Sequence, residues 1–316
     1  MSFRYIVRVC LMIIAAAALA AGTRASAQMD PSKILGPETC GECHKMEFAA
    51  WQGMKHSKTF DDLHRRPTAK EIAGKLGIAN IKAEGTCAQC HYTTSDKGPG
   101  RPIAGVSCER CHGGARDWVK IHNEKGQMGE AEKVGFISTK NIYKLASNCL
   151  SCHTMPNEKL VNVGGHQAGS PFELVSWSQG EVRHHFKTGN VNTDDTPERK
   201  RMLYLVGRIV DLEYSLRAVA QATEKDTFAK TMAGRSKAAK AEIQKIIDVL
   251  PNDDVKAVLA AADGAKLKLN NKDEIMAAVD KISVLGQKIS DTFKGADLAA
   301  LDPLIPATVM GTTFNP

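Results

Sequence analysis

Aromatic residues make up only 5% of this 316-residue chain. A domain of ordinary composition leans on Phe, Tyr and Trp for much of the flat apolar area in its core, so another large apolar body is expected inside. Histidine and cysteine stop early. Residues 186–316 contain neither, so no metal or thiol chemistry based on those side chains can reside there. Strand patterning is weak throughout. Lysines are spread along the chain with no basic block, which gives no support for a nucleic-acid partner. Val9–Ala21 is an uncharged apolar stretch, shorter than the roughly 20 residues a spanning helix needs.

That stretch has a different use. Arg4 and Arg8 precede it, and Ala25-Ser26-Ala27 follows it as a small-residue cleavage signal. Residues 1–27 therefore read as a signal peptide, with the chain exported to the periplasm and no stable membrane span after cleavage. Cys10 leaves with the leader. Losing Arg4, Arg8 and Arg24 lowers the formal charge from +7 to +4.

Eight cysteines remain, and all of them fall into one pattern. Cys40-Gly-Glu-Cys43-His44, Cys87-Ala-Gln-Cys90-His91, Cys108-Glu-Arg-Cys111-His112 and Cys149-Leu-Ser-Cys152-His153 are four copies of Cys-x-x-Cys-His. The pattern reads as c-type haem attachment. Two thiols bind the two vinyl groups of one porphyrin, and the adjoining histidine supplies the proximal ligand of the iron. Two four-cysteine zinc knuckles would use the same thiols but give the histidines no role. A disulfide framework, otherwise natural for an exported chain, fails on the same ground. The expected cofactors are four covalently bound c-type haems, whose flat apolar bodies stand in for the missing aromatics. Each also brings two propionates, so the loaded protein need not be basic.

All ten histidines lie between His44 and His185. This sets a tetrahaem domain at about 28–190, ending in the polar stretch 188–196, and a haem-free C-terminal helical region at 191–316. The expected fold class is mainly α: short helices and loops around four haems, plus a C-terminal helical bundle. In the first part, helices are expected at 45–55, 68–76 and 115–122, with breaks at 97–102 and at Gly164-Gly165. In the second, Thr196-Pro197-Glu198 is a helix start, followed by an apolar stripe at Leu203, Val206, Ile209, Val210, Leu216 and Val219. Further helices are expected at about 226–250 and 253–262. A last one, to about 293, opens on a capping box at Asn271-Lys-Asp-Glu274. Short loops between them suit an antiparallel bundle.

Six histidines remain for distal ligation: His56, His64, His122, His166, His184 and His185. At this point three segments resemble the tetrahaem cytochrome c554 family, over roughly 40–186. They are Cys40–Lys45 with Trp51 and Lys55-His56-Ser57-Lys58; Gly105-Val106-Ser107-Cys108-Glu109-Arg110-Cys111-His112-Gly113 with Arg116 and His122; and Arg183-His184-His185-Phe186-Lys187. The resemblance implies that His122 ligates the iron of His44, His56 that of His153 and His185 that of His112. The iron of His91 would then be five-coordinate and open. His166, His184 and the C-terminal region lie outside the family pattern. Either extra histidine could close the sixth position at His91. His166 is the stronger, because its flanking glycines let the backbone approach a haem, whereas His64 sits in a charged, solvated segment.

These residues support an electron carrier working with redox partner proteins, rather than an enzyme. An enzyme reading, acting on nitric oxide or hydroxylamine, needs the open iron at His91. A third reading is a subunit of an extracellular haem polymer, its spare histidines ligating haem in a neighbouring chain. The oligomeric state is left open by the sequence.

Overall fold

A computed structural model describes residues 29–96, 101–186 and 189–316. The expected signal peptide and most of the 97–102 loop lie outside the described residues. The molecule is mainly helical, as its composition and periodicity suggest. No helix among the described residues is long and apolar enough to cross a membrane.

The first part is a chain of short elements. These are α1 (Pro37–Gly41), α2 (Lys45–Gly53), α3 (Lys55–Asp62), α4 (Pro67–Lys75) and α5 (Gly85–His91). A small antiparallel pair follows, β1 (Thr93–Ser95) and β2 (Arg101–Ala104). Next come α6 (Cys108–His112), α7 (Met128–Lys133), α8 (Ile142–His153), α9 (Glu158–Asn162) and α10 (Leu174–Ser178). The expected helix 45–55 is broken at Met54, whose extended backbone (φ −75°, ψ 152°) separates α2 from α3. No continuous helix forms at 115–122. Instead, bonds such as Val119 N to Ala115 O and His122 N to Trp118 O close isolated turns.

Four long helices follow: α11 (Pro197–Ala220), α12 (Thr227–Val249), α13 (Asp253–Gly264) and α14 (Lys272–Thr292). Thr196 caps α11, its side chain accepting from Arg199 N, with Pro197 in the first turn. The capping box at Asn271 does not form. Asn271 Nδ2 donates to Glu274 Oε2, and the other Glu274 oxygen accepts from Lys266 N, so the side chains staple the preceding loop instead.

The stripe foreseen on α11 is wider in the structure. Tyr204, Leu205 and Leu212 are as buried as Leu203, Val206 and Ile209. A helix that is apolar nearly all round is an interior helix, and here α12 and α14 pack on it together with α8 and α10. One continuous core therefore joins Ile142, Tyr143, Ala146, Leu150 and Leu174 to the C-terminal helices. It runs across the expected boundary near 190. Side-chain cores elsewhere are small: Ala73, Ile81, Ala88 and Tyr92 in one, Ala115, Trp118 and Ala131 in another.

Candidate haem-ligating site

Each Cys-x-x-Cys-His motif sits at a helix end. His91, His112 and His153 are the last residues of α5, α6 and α8, and His44 caps α2. One helical turn places the two thiols of a motif on the same side as the histidine that follows. The eight cysteines are free of disulfides.

The motif segments lie against one another. The side chains of Cys40 and Cys108 are neighbours, as are those of Cys90 and Cys152. Asn148 Nδ2 donates to Cys111 O at 2.9 Å, and the Arg110 guanidinium donates to Gln89 O. The Cys108–His112 segment thus touches the first two motifs and the helix that carries the fourth.

The Gly105–Gly113 stretch has a physical reason for each of its unusual residues. A Cβ on Gly105 would stand 2.3 Å from His56 O, so only glycine admits this crossing of β2 and α3. Val106 N then donates to His56 O at 3.0 Å, and Trp51 Nε1 donates to Val106 O at 2.8 Å. Glu109 is buried inside its motif, where its carboxylate accepts from Leu35 N, Gly36 N and Ala115 N, each at 2.9 Å. Those three donors give a buried charge the partners it requires. Gly113, at φ +86°, lets Gly135 O come within what would be 2.2 Å of a Cβ.

Four remote histidines face the four motif histidines. The ring centroids of His44 and His122 are 6.1 Å apart, those of His56 and His153 6.2 Å, and those of His91 and His166 and of His112 and His184 each 6.3 Å. A metal–imidazole bond is about 2 Å. Two such bonds end to end, plus the two ring radii, reproduce these separations. Direct ring stacking would bring the centroids closer, as Phe172 does against His153 at 4.4 Å.

Hydrogen bonds hold the rings in the orientation a metal ligand needs. Nδ1 of His112 meets Ile137 O at 3.0 Å, that of His122 meets Val119 O at 2.8 Å, and that of His166 meets Gln167 O at 2.8 Å. Nδ1 of His184 meets Val182 O at 2.6 Å, and that of His153 meets Ser170 Oγ at 2.7 Å. A bonded Nδ1–H fixes the tautomer and leaves Nε2 with its lone pair. Burial pushes His91, His112 and His153 down to about 4. A neutral imidazole is the ligating form. The donor set, tautomers and separations fit four bis-histidine c-type haems.

Two expectations about these histidines meet a different arrangement. His185 was expected across from His112, and its neighbour His184 is placed there. The segment is not helical, and His185 is turned toward the following loop: its N donates to Asn192 Oδ1, its O accepts from Thr193 N, and its ring lies 3.6 Å from Asp195. His91, expected to have an open face, is faced by His166. Gly165 at φ +77° turns the chain back after α9, just before His166. The rings of His56 and His122 face those of His153 and His44. One contributor gave no sequence signal: Ser170, which holds His153. Glu109, which braces its own motif, was visible only as a member of the Gly105–Gly113 segment.

Comparison with known proteins agrees with the motifs. The family model described as "Cytochrome c554 and c-prime" matches residues 39–113. A curated relative, "Cytochrome c-554" of Nitrosomonas europaea, is 26% identical over 158 residues. That match covers 44% of this chain and 66% of the relative, just under two thirds of its length. No solved structure matches the chain. Motifs and matches together make the N-terminal, cysteine-bearing part of the chain similar to the cytochrome c554 family of c-type cytochromes.

Proposed function

We propose that the chain is a periplasmic tetrahaem cytochrome that passes electrons between redox partner proteins. The observation that carries this is the set of four facing histidine pairs, each with one member in a Cys-x-x-Cys-His motif. Bound, each haem supplies a one-electron iron couple. The chain's own residues do the rest. Cys40, Cys43, Cys87, Cys90, Cys108, Cys111, Cys149 and Cys152 would anchor the four groups. His44, His91, His112 and His153 would ligate from the motif side, and His122, His166, His184 and His56 from the other. A histidine on each side would leave an iron bound there low-spin and closed to small ligands. Phe136 and Trp118 beside His122, and Phe172 against His153, keep water from the ligand rings.

Two rival readings lose support. An enzyme acting at the iron of His91 needs an open face, and His166 stands there. A haem polymer needs spare histidines, and only His64 and His185 are left outside the four pairs. Intact mass with a pyridine haemochrome assay tests the cofactor content, and four haems per chain is the expected result. Electron paramagnetic resonance of the oxidised protein tests the coordination. Four low-spin irons are expected, and one high-spin iron at full haem occupancy would revive the enzyme reading.

A further inference from the structure

The C-terminal helices carry no ligand, yet they reach one. Ser170 Oγ accepts from Nδ1 of His153 at 2.7 Å and points its own proton toward His153 O at 3.5 Å. Arg235, on α12, holds this pair from behind. Its Nη1 donates to Ser170 O at 2.8 Å and lies 3.5 Å from His153 O, while its Nε donates to Asp211 Oδ1 on α11 at 2.7 Å. Both side chains of that ion pair are largely buried, at 15% and 16% exposed. Gly169 makes the approach possible. At φ +76°, its missing Cβ would stand 3.2 Å from Arg235 Nη1 and 3.3 Å from the carbonyls of His153 and Thr154.

We infer that Ser170, Arg235 and Asp211 are positioning residues that set the reduction potential of the haem held by His153, so that the C-terminal bundle tunes one couple of the four. The inference rests on the haem-ligand reading above. Outer hydrogen bonds and local charge are among the levers by which a protein shifts a haem potential. Ser170 makes His153 a stronger donor by accepting its Nδ1 proton, which favours the oxidised iron. The Arg235–Asp211 pair is a buried dipole with its positive end at His153, which favours the reduced iron. The two effects oppose each other, so removing each should move the same couple in opposite directions.

The test is a spectroelectrochemical titration of the full-length holoprotein with intact-mass measurement. Ser170→Ala should raise one midpoint and Arg235→Gln should lower one, with the other three couples unmoved. Arg235→Lys, which keeps the charge, should give a smaller shift than Arg235→Gln. Lys288→Gln, at the bundle ion pair with Asp254, should leave all four midpoints alone. His56→Ala identifies the couple, since it should convert the low-spin signal of that same haem to high-spin. The inference is overturned if Ser170→Ala and Arg235→Gln retain four haems and four parental midpoints, a result that leaves the haem-ligand reading standing. It is also overturned if Lys288→Gln moves the midpoints equally. A parent protein with fewer than four haems would overturn both.

Discussion

The ring of His166 faces the ring of His91 at 6.3 Å between centroids, the same separation found for His112 and His184. His166 is reached through α9 and a left-handed Gly165, and its Nδ1 is already committed to Gln167 O. Nothing in this geometry sets the His91 position apart from the other three. The oxidised wild-type protein should therefore ignore cyanide and nitric oxide. His166→Ala should open one iron and give one new high-spin signal. Binding of one cyanide per wild-type chain would show that His166 does not ligate.

His184 and His185 can be told apart directly. His184→Ala should convert one low-spin haem to high-spin, and His185→Ala should keep all four low-spin. The reverse pattern would return the ligand role to His185.

The facing rings are twisted to different degrees. His56/His153 and His112/His184 cross at 70° and 79°, His44/His122 and His91/His166 at 37° and 46°. Crossed imidazole planes leave two iron d orbitals nearly equal in energy, which raises the anisotropy of the low-spin signal. The oxidised spectrum should hold two strongly anisotropic signals and two milder ones. Four alike would contradict these ring angles.

Gly105→Ala should be costly although it adds one methyl. Its Cβ would meet the backbone oxygens of His56 and Ser57 at 2.3 and 2.5 Å, and backbone cannot give way as a side chain does. Overpacking of this kind costs about 1–3 kcal/mol. Thermal unfolding of the holoprotein should show it, together with loosened ligation by His56. An unchanged melting temperature would mean that α3 can move aside freely.

A chain ending at Asn190 should not keep parental ligation at His153. It would expose Tyr143, Leu150 and Leu174, which the bundle covers, and it would lose Arg235. Four low-spin haems in that fragment would show that the two parts fold separately.

The cysteines and motif histidines were legible because covalent haem attachment is a local demand, met within five residues. Distal partners answer to three-dimensional distance, which the sequence records weakly. His166 left a trace in its glycines. His184 left none that separates it from His185, because the choice depends on the backbone path set by Asn192 and Thr193. The C-terminal helices were readable from Thr196-Pro197 and the apolar period. That α11 is an interior helix was not, since its second covering layer comes from α8 and α10, which precede it in the chain. Arg235 resembles any surface arginine of an amphipathic helix until α8 is docked beside it.

The Cys108–His112 segment touches the first two motifs through Cys40 and Gln89, and the helix that carries the fourth through Asn148. Position along the sequence is therefore a poor guide to connectivity. In network terms this third motif is a junction, and the first adjoins it through Cys40. A lesion in the first motif would trim the assembly. A lesion in the third would disturb all three of its neighbours at once, while the second and fourth motifs also meet each other through Cys90 and Cys152.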